Sequence, residues 1–259
     1  MKRDDRHQAI MDLLVAEGEV DLDRLAERFG VSRMTVHRDL DELETAGLLR
    51  KIRGGATIRS GTRFESDFSF RERQGGAAKT AMAKAALQLI EPGMTVMIND
   101  GSMASVLGQM VMEKRPLTVI TNNGAVMDAL RGENGITLIG LGGVFSSKFN
   151  AYLGKVTEDS LAQLRADIVF ISSPAVVDLA VYHMDESVVR AKRAMMDQSA
   201  RSCLLVNHLR FGHAALYRLA SLSEFDHIIT DAPPPTGMTD ALTSAGLTLT
   251  IADTTKDCT

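Results

Sequence analysis

Val31-Ser32-Arg33-Met34-Thr35-Val36-His37-Arg38-Asp39-Leu40 is the stretch on which the reading of this chain turns. Ser32 offers a side-chain oxygen to cap a helix, and Val36, Leu40 and Leu43 then repeat at i, i+4 and i+7 until Gly47. The spacing predicts a helix with one apolar stripe. It leaves Arg33, Met34, Thr35, His37 and Arg38 on the outward N-terminal half, with acids following from Asp39 onward. Just upstream, Asp21 caps a shorter predicted helix in which Leu22, Leu25, Ala26 and Phe29 form a stripe before Gly30 breaks it. A first helix is predicted from Asp5, with Ile10, Leu13 and Leu14 at helical spacing and Gly18 as its stop. Two helices joined by a short Gly-containing turn form the helix-turn-helix plan, whose second member reaches base edges in the DNA major groove with its N-terminal residues.

Downstream, Leu48 to Ile58 is expected to form two short strands hinged at Gly54-Gly55, a wing. Between Leu48 and Arg63 stand Arg50, Lys51, Arg53, Arg59 and Arg63 with no acid among them. The whole chain carries a formal net charge of −4, so contact with DNA has to come from such local segregation rather than from overall charge. A three-helix bundle that binds protein would show the same stripes, but it would leave the basic hairpin beside the basic helix face without a use. Ser32, Arg33, Met34, Thr35, His37, Arg38, Arg50, Lys51 and Arg53 are therefore the candidate DNA contacts. One such unit covers one half-site, so a dimer or tetramer on a repeat-containing double-stranded operator is expected.

With 259 residues, 45% of them hydrophobic and 24% charged, the chain has enough apolar surface for two cores and no composition of a disordered protein. Its N-terminus has no apolar run behind the basic residues, and no stretch approaches the ~18 apolar residues of a membrane span, which implies a cytoplasmic protein without membrane contact. Cys203 and Cys258 have no paired or metal-ligand spacing, so two free thiols, no metal and no cofactor are expected. The expected division is a small α+β winged helix-turn-helix over 1–59, a linking or docking segment over 60–74 with a polar seam at Ser60-Gly61-Thr62, and an α/β effector-binding domain over 75–259. In the last, aliphatic runs at 95–98, 117–121, 137–141, 168–171, 203–206, 227–230 and 247–251 read as strands buried on both faces. They alternate with helical stretches at 79–89, 102–112, 124–130, 157–164 and 187–200, which makes a mostly parallel sheet.

In such sheets ligands settle at the carboxyl ends of strands, where backbone N–H groups and helix N-termini meet an anion. Asn99-Asp100-Gly101-Ser102, Thr121-Asn122-Asn123-Gly124 and the glycines 140, 142 and 143 all fall at such ends. Together they suggest a site for one phosphate-bearing molecule.

The opening stretch, with Gly47-Leu48-Leu49-Arg50 and Arg53-Gly54-Gly55-Ala56, resembles the signature of DeoR-family repressors, with His37-Arg38 where the family has two arginines. The resemblance continues through Phe70-Arg71-Glu72-Arg73, Lys79, Gly93, Gly101-Ser102, Thr121-Asn122, Gly142-Gly143, Gly154, Lys192-Arg193-Ala194-Met195 and Phe211-Gly212. It implies an effector domain related in fold to ribose-phosphate isomerase, binding a sugar or polyol phosphate that relieves repression of a catabolic operon. On it, Asn99, Asp100, Gly101, Ser102, Thr121, Asn122, Gly142, Gly143, Lys192, Asn207 and Arg210 are the effector positions. The chain departs from the family at Asn99 and Met103, at Asn207-His208-Leu209-Arg210, and at Ser172-Ser173-Pro174-Ala175, where a glycine-rich stretch is usual and a stiffer backbone is expected. An isomerase would need a base and an acid, for which Asp100, Glu186 and Lys192 are the candidates. Each has a plainer reading, as turn residue, solvated helix face and ion-pair partner respectively, and an isomerase has no use for a DNA-binding unit, so no catalysis is expected.

Overall fold

The computed structural model describes residues 2–45, 48–58 and 67–252. The helix stop at Gly47, the seam at Ser60-Gly61-Thr62, the basic residues Arg59 and Arg63, and Cys258 lie outside the described residues. Contacts divide the chain into two units, 1–74 and 75–259.

The first unit runs α1 (Arg3–Glu17), β1 (Glu19–Asp21), α2 (Leu22–Phe29), α3 (Arg33–Thr45), β2 (Arg50–Ile52), β3 (Gly55–Thr57) and α4 (Phe68–Glu72). Ile10, Leu14, Leu25, Val36, Leu40 and Leu49 close its core, the stripes the sequence showed. The segment expected to link or dock carries α4, and its Phe70 joins that core. The wing is a three-stranded antiparallel sheet in the order β1-β3-β2 rather than a lone hairpin. Gly55 makes the third strand possible: a Cβ there would stand 1.9 Å from the Val20 carbonyl oxygen, so only glycine admits β1 at that distance.

The second unit runs α5 (Gly76–Leu87), β4 (Thr95–Ile98), α6 (Ser102–Met110), β5 (Leu117–Thr121), α7 (Gly124–Leu130), β6 (Ile136–Gly140), β7 (Val144–Ser146), β8 (Ala151–Leu153), α8 (Lys155–Leu161) and β9 (Ile168–Ser172). It continues with β10 (Ala175–Val177), β11 (Ala180–His183), α9 (Glu186–Asp197), β12 (Ser202–Leu205), β13 (Tyr217–Ser221), β14 (His227–Thr230), α10 (Thr236–Ser244) and β15 (Leu249–Ile251). Seven strands form one parallel sheet in the order β15-β14-β12-β9-β4-β5-β6. Alternate residues feed two cores: Val96, Ile98, Ile168 and Phe170 pack into one, Met97, Val169 and Ile171 into the other. That is why these strands read as unbroken aliphatic runs.

Two smaller pieces escape the sequence pattern. One is the β7–β8 hairpin; the other is an antiparallel sheet in the order β10-β11-β13. The turn between β10 and β11 is Asp178-Leu179, with both residues at positive φ (49° and 56°), the backbone a tight hairpin needs. Glycine or asparagine normally advertises such a turn, and leucine does not.

Candidate nucleic-acid interface and sensor site

In the first unit Ser32 caps α3, its Oγ accepting from the Thr35 N–H at 3.1 Å and lying 2.9 Å from the Thr35 Oγ1. Ser32, Arg33, Met34 and Arg38 are exposed, Met34 to 72%, while Thr35 and His37 are half-buried. Asp39, read from the sequence as the first acid of the outward surface, is instead buried. Arg6 of α1 grips it twice, Nε to Oδ2 at 2.5 Å and Nη2 to Oδ1 at 2.8 Å, and His7 Nε2 stands 3.1 Å from Oδ1. Burial pushes the Asp39 carboxyl up, but the hydrogen bonds from Arg6 and His7 outweigh it and leave it below the usual carboxylate range. The Arg6 guanidinium is raised correspondingly, by its hydrogen bond to Asp39 against the cost of burial. This pair fixes α3 to α1, and so fixes the surface that α3 presents. Nothing in the sequence marked Arg6, because a lone arginine on a polar helix has the same pattern whether it is solvated or buried.

On the wing, Arg50 and Arg53 are exposed and Lys51 is half-buried. Lys51 leans back onto α3, its Nζ 2.5 Å from Asp41 Oδ1, and its main-chain N–H donates to Glu44 Oε1 at 2.7 Å. Arg33 also has an acidic neighbour, with Nε 2.8 Å from Asp23 Oδ1. The unit thus presents an exposed helix N-terminus together with a wing whose β2 strand and turn carry Arg50, Lys51 and Arg53, a charge that suits a groove and its phosphates.

In the second unit the strand order reverses between β4 and β9, the switch point at which parallel sheets open a crevice. Asn99 and Asp100 follow β4 there and Ser172 ends β9. Asn99 Oδ1 accepts from the Ser172 N–H at 3.1 Å, and Asn123 Nδ2 donates to the carbonyls of Asn99 and Gly101, both at 3.2 Å. Lys192 of α9, 2% exposed, donates from Nζ to the Ser172 carbonyl at 2.8 Å and stands 3.7 Å from Asp100 Oδ2. Gly101 opens α6 at φ 109°, and a Cβ there would meet Ser172 Oγ at 2.7 Å, so the serine occupies the room beside the helix N-terminus. Thr121 Oγ1 donates to the Ile98 carbonyl at 2.6 Å, and Asn122 Nδ2 to the Tyr152 carbonyl at 3.0 Å. Buried Thr157 donates to the Gly142 carbonyl at 2.7 Å, which ties the Gly142-Gly143 loop to α8.

Of the expected effector residues, Asn99, Asp100, Gly101, Ser102, Thr121, Asn122 and Lys192 gather at the ends of β4, β5 and β9. Asn207 and Arg210 lie beyond β12, where Asn207 Nδ2 and the His208 main chain bind Asp231 at 2.8 and 2.7 Å. Thr157 and Asp231 are the polar residues missed, and Asn123 was read only as part of a turn: each is a buried polar side chain whose partner is distant in sequence. Among the described residues no group of His, Cys, Asp and Glu is placed to hold a metal, and no helix is long and apolar enough to cross a membrane.

The model of the DeoR-like helix-turn-helix domain matches residues 6–62, and that of the DeoR C terminal sensor domain matches 75–232. The glycerol-3-phosphate regulon repressor of Escherichia coli K12 is 30% identical over 244 residues, covering 94% of this chain and 96% of the relative. The L-fucose operon activator of Haemophilus influenzae is 30% identical over 231 residues, covering 89% and 92%. Among solved structures, ribose 5-phosphate isomerase A of Methanocaldococcus jannaschii aligns with 51% of this chain and 53% of its own at 14% identity, with a TM-score of 0.38.

Proposed function

Because the chain belongs to the DeoR family of transcriptional regulators, we propose that it represses a sugar or polyol catabolic operon and that a phosphorylated metabolite of that pathway releases it. It acts in the cytoplasm, as a homo-oligomer whose helix-turn-helix units occupy paired half-sites of double-stranded DNA. Arg33, Met34 and Arg38, with Ser32, Thr35 and His37, read bases, and Arg50, Arg53 and Lys51 hold phosphates. The reading rests above all on one observation: the N-terminal half of α3 exposes Arg33, Met34 and Arg38 while its acid Asp39 is turned inward. The sensor half draws support from the switch point, where the N-terminus of α6 and the buried Lys192 both lie at the ends of β4 and β9. The E. coli relative is named for a phosphorylated polyol, which fits that chemistry.

A reporter driven by the promoter upstream of the gene tests the sign: expression should rise when the gene is removed. The same relatives include an activator, so higher expression in the presence of the protein would overturn repression while leaving DNA binding standing. Thermal shift across a panel of sugar and polyol phosphates tests the sensor, since a ligand of the native state raises the transition with its concentration over Kd. The free sugar should shift it far less than its phosphate. No shift with any phosphorylated compound would sink the sensor assignment.

A further inference from the structure

Asp23 is out of place on the DNA-facing surface proposed above. It lies in the first turn of α2, two residues after Asp21 and beside the wing turn, where the Leu22 N–H donates to the Gly54 carbonyl at 2.8 Å. Arg33, the first residue of α3, approaches it from the other side, Nε to Oδ1 at 2.8 Å. A carboxylate between a base-reading helix and a phosphate-binding wing repels the polyanion it faces. Stability does not explain it, because both side chains are about two-thirds exposed, at 67% and 63%, and such pairs contribute little.

We propose that Asp23 is a positioning residue that holds Arg33 for base recognition. The ion pair engages the guanidinium at Nε, which leaves both Nη groups able to meet the O6 and N7 atoms of one guanine, the bidentate contact by which arginine reads DNA. An arginine at the start of a helix has many rotamers, and a free one would fall onto the nearest phosphate, adding affinity for any sequence and discrimination for none. Asp23 opposes that by holding the guanidinium against its own negative charge. It trades general affinity for selectivity. This inference rests on the DNA-binding reading, and it deepens that reading by naming what sets one base preference.

The test uses the full-length chain and duplexes selected from a random pool by the wild-type protein. In D23A, affinity for random duplex should rise about threefold or more at low salt, and the ratio of selected to random affinity should fall about tenfold. In D23N the charge is gone but an acceptor remains at Oδ1, so random affinity should rise as in D23A while most of the ratio is kept. Replacing each guanine of the selected duplex with 7-deazaguanine removes the N7 acceptor; one position should weaken wild type about tenfold and leave D23A nearly unaffected. If D23A keeps the wild-type ratio, or if D23N and D23A lose it equally, Asp23 does not position Arg33. Failure of the wild type to prefer any selected duplex over random DNA would instead overturn the DNA-binding reading itself.

Discussion

Replacing Asp39 with Ala should loosen the first unit more than any exposed change on α3. Asp39 is 2% exposed and Arg6 7%, and the substitution leaves that guanidinium buried without the carboxylate that meets both its Nε and its Nη2. Breaking one side of a buried pair costs about 3–5 kcal/mol. The unit spans residues 1–74, which at about 0.05–0.15 kcal/mol per residue holds on the order of 4–11 kcal/mol, so the loss takes a large share of its stability. Hydrogen exchange read by mass spectrometry isolates the effect, because peptides from α1 and α3 report on this unit alone. Their protection should fall roughly 100- to 5,000-fold, at about 1.4 kcal/mol per tenfold, while peptides from β4 and β9 stay unchanged. Acid should act in the same direction. The folded Asp39 carboxyl lies below its unfolded value of about 3.9, so its contribution is complete above that pH and is lost as pH falls through the folded value. A double change, Arg6→Met with Asp39→Leu, removes both charges and should recover much of the protection. If the Asp39→Ala peptides exchange within threefold of wild type, or if the double variant is no better than the single ones, the buried pair does not hold α3 in place.

Arg38→Ala should lower affinity for the selected duplex about tenfold or more and that for random DNA much less, whereas Arg53→Ala should weaken both alike and reduce the slope of log K against log salt by about one; titrations at several salt concentrations separate the two. Lys51→Ala should change that slope less than Arg53→Ala, because Asp41 already neutralises it. Lys192→Met should lower the melting transition of the second unit by the equivalent of about 3–5 kcal/mol by stranding Asp100, and adding Asp100→Asn should restore part of it, as followed by calorimetry. Burial pushes the Cys203 thiol well above its ordinary pKa, so iodoacetamide at neutral pH should leave the Cys203 peptide unmodified in the folded chain and alkylate it in urea.

The sequence by itself settled what depends on local pattern. The apolar stripes of α1, α2 and α3, the Ser32 cap and the aliphatic runs of the parallel strands were legible because periods of 3.6 and 2 residues, and the buriedness of a parallel sheet, are written into neighbouring residues. The loops at the ends of β4 and β5 were legible for the same reason, since small polar residues stand where strands give way to helices. Only the tertiary structure decided which polar groups are paired. Asp39 looks like any other acid of a helix until Arg6, 33 residues away, is brought against it. Lys192 becomes a neighbour of Asp100 only when α9 packs beside the end of β9, and Asn207 turns to Asp231 only because β12 and β14 are adjacent. A hydrophobic side chain is drawn inward whatever it meets, so its burial can be read from spacing, whereas a charge goes inward only where a specific partner waits. That partner is a property of the folded topology, and the chain order alone does not contain it.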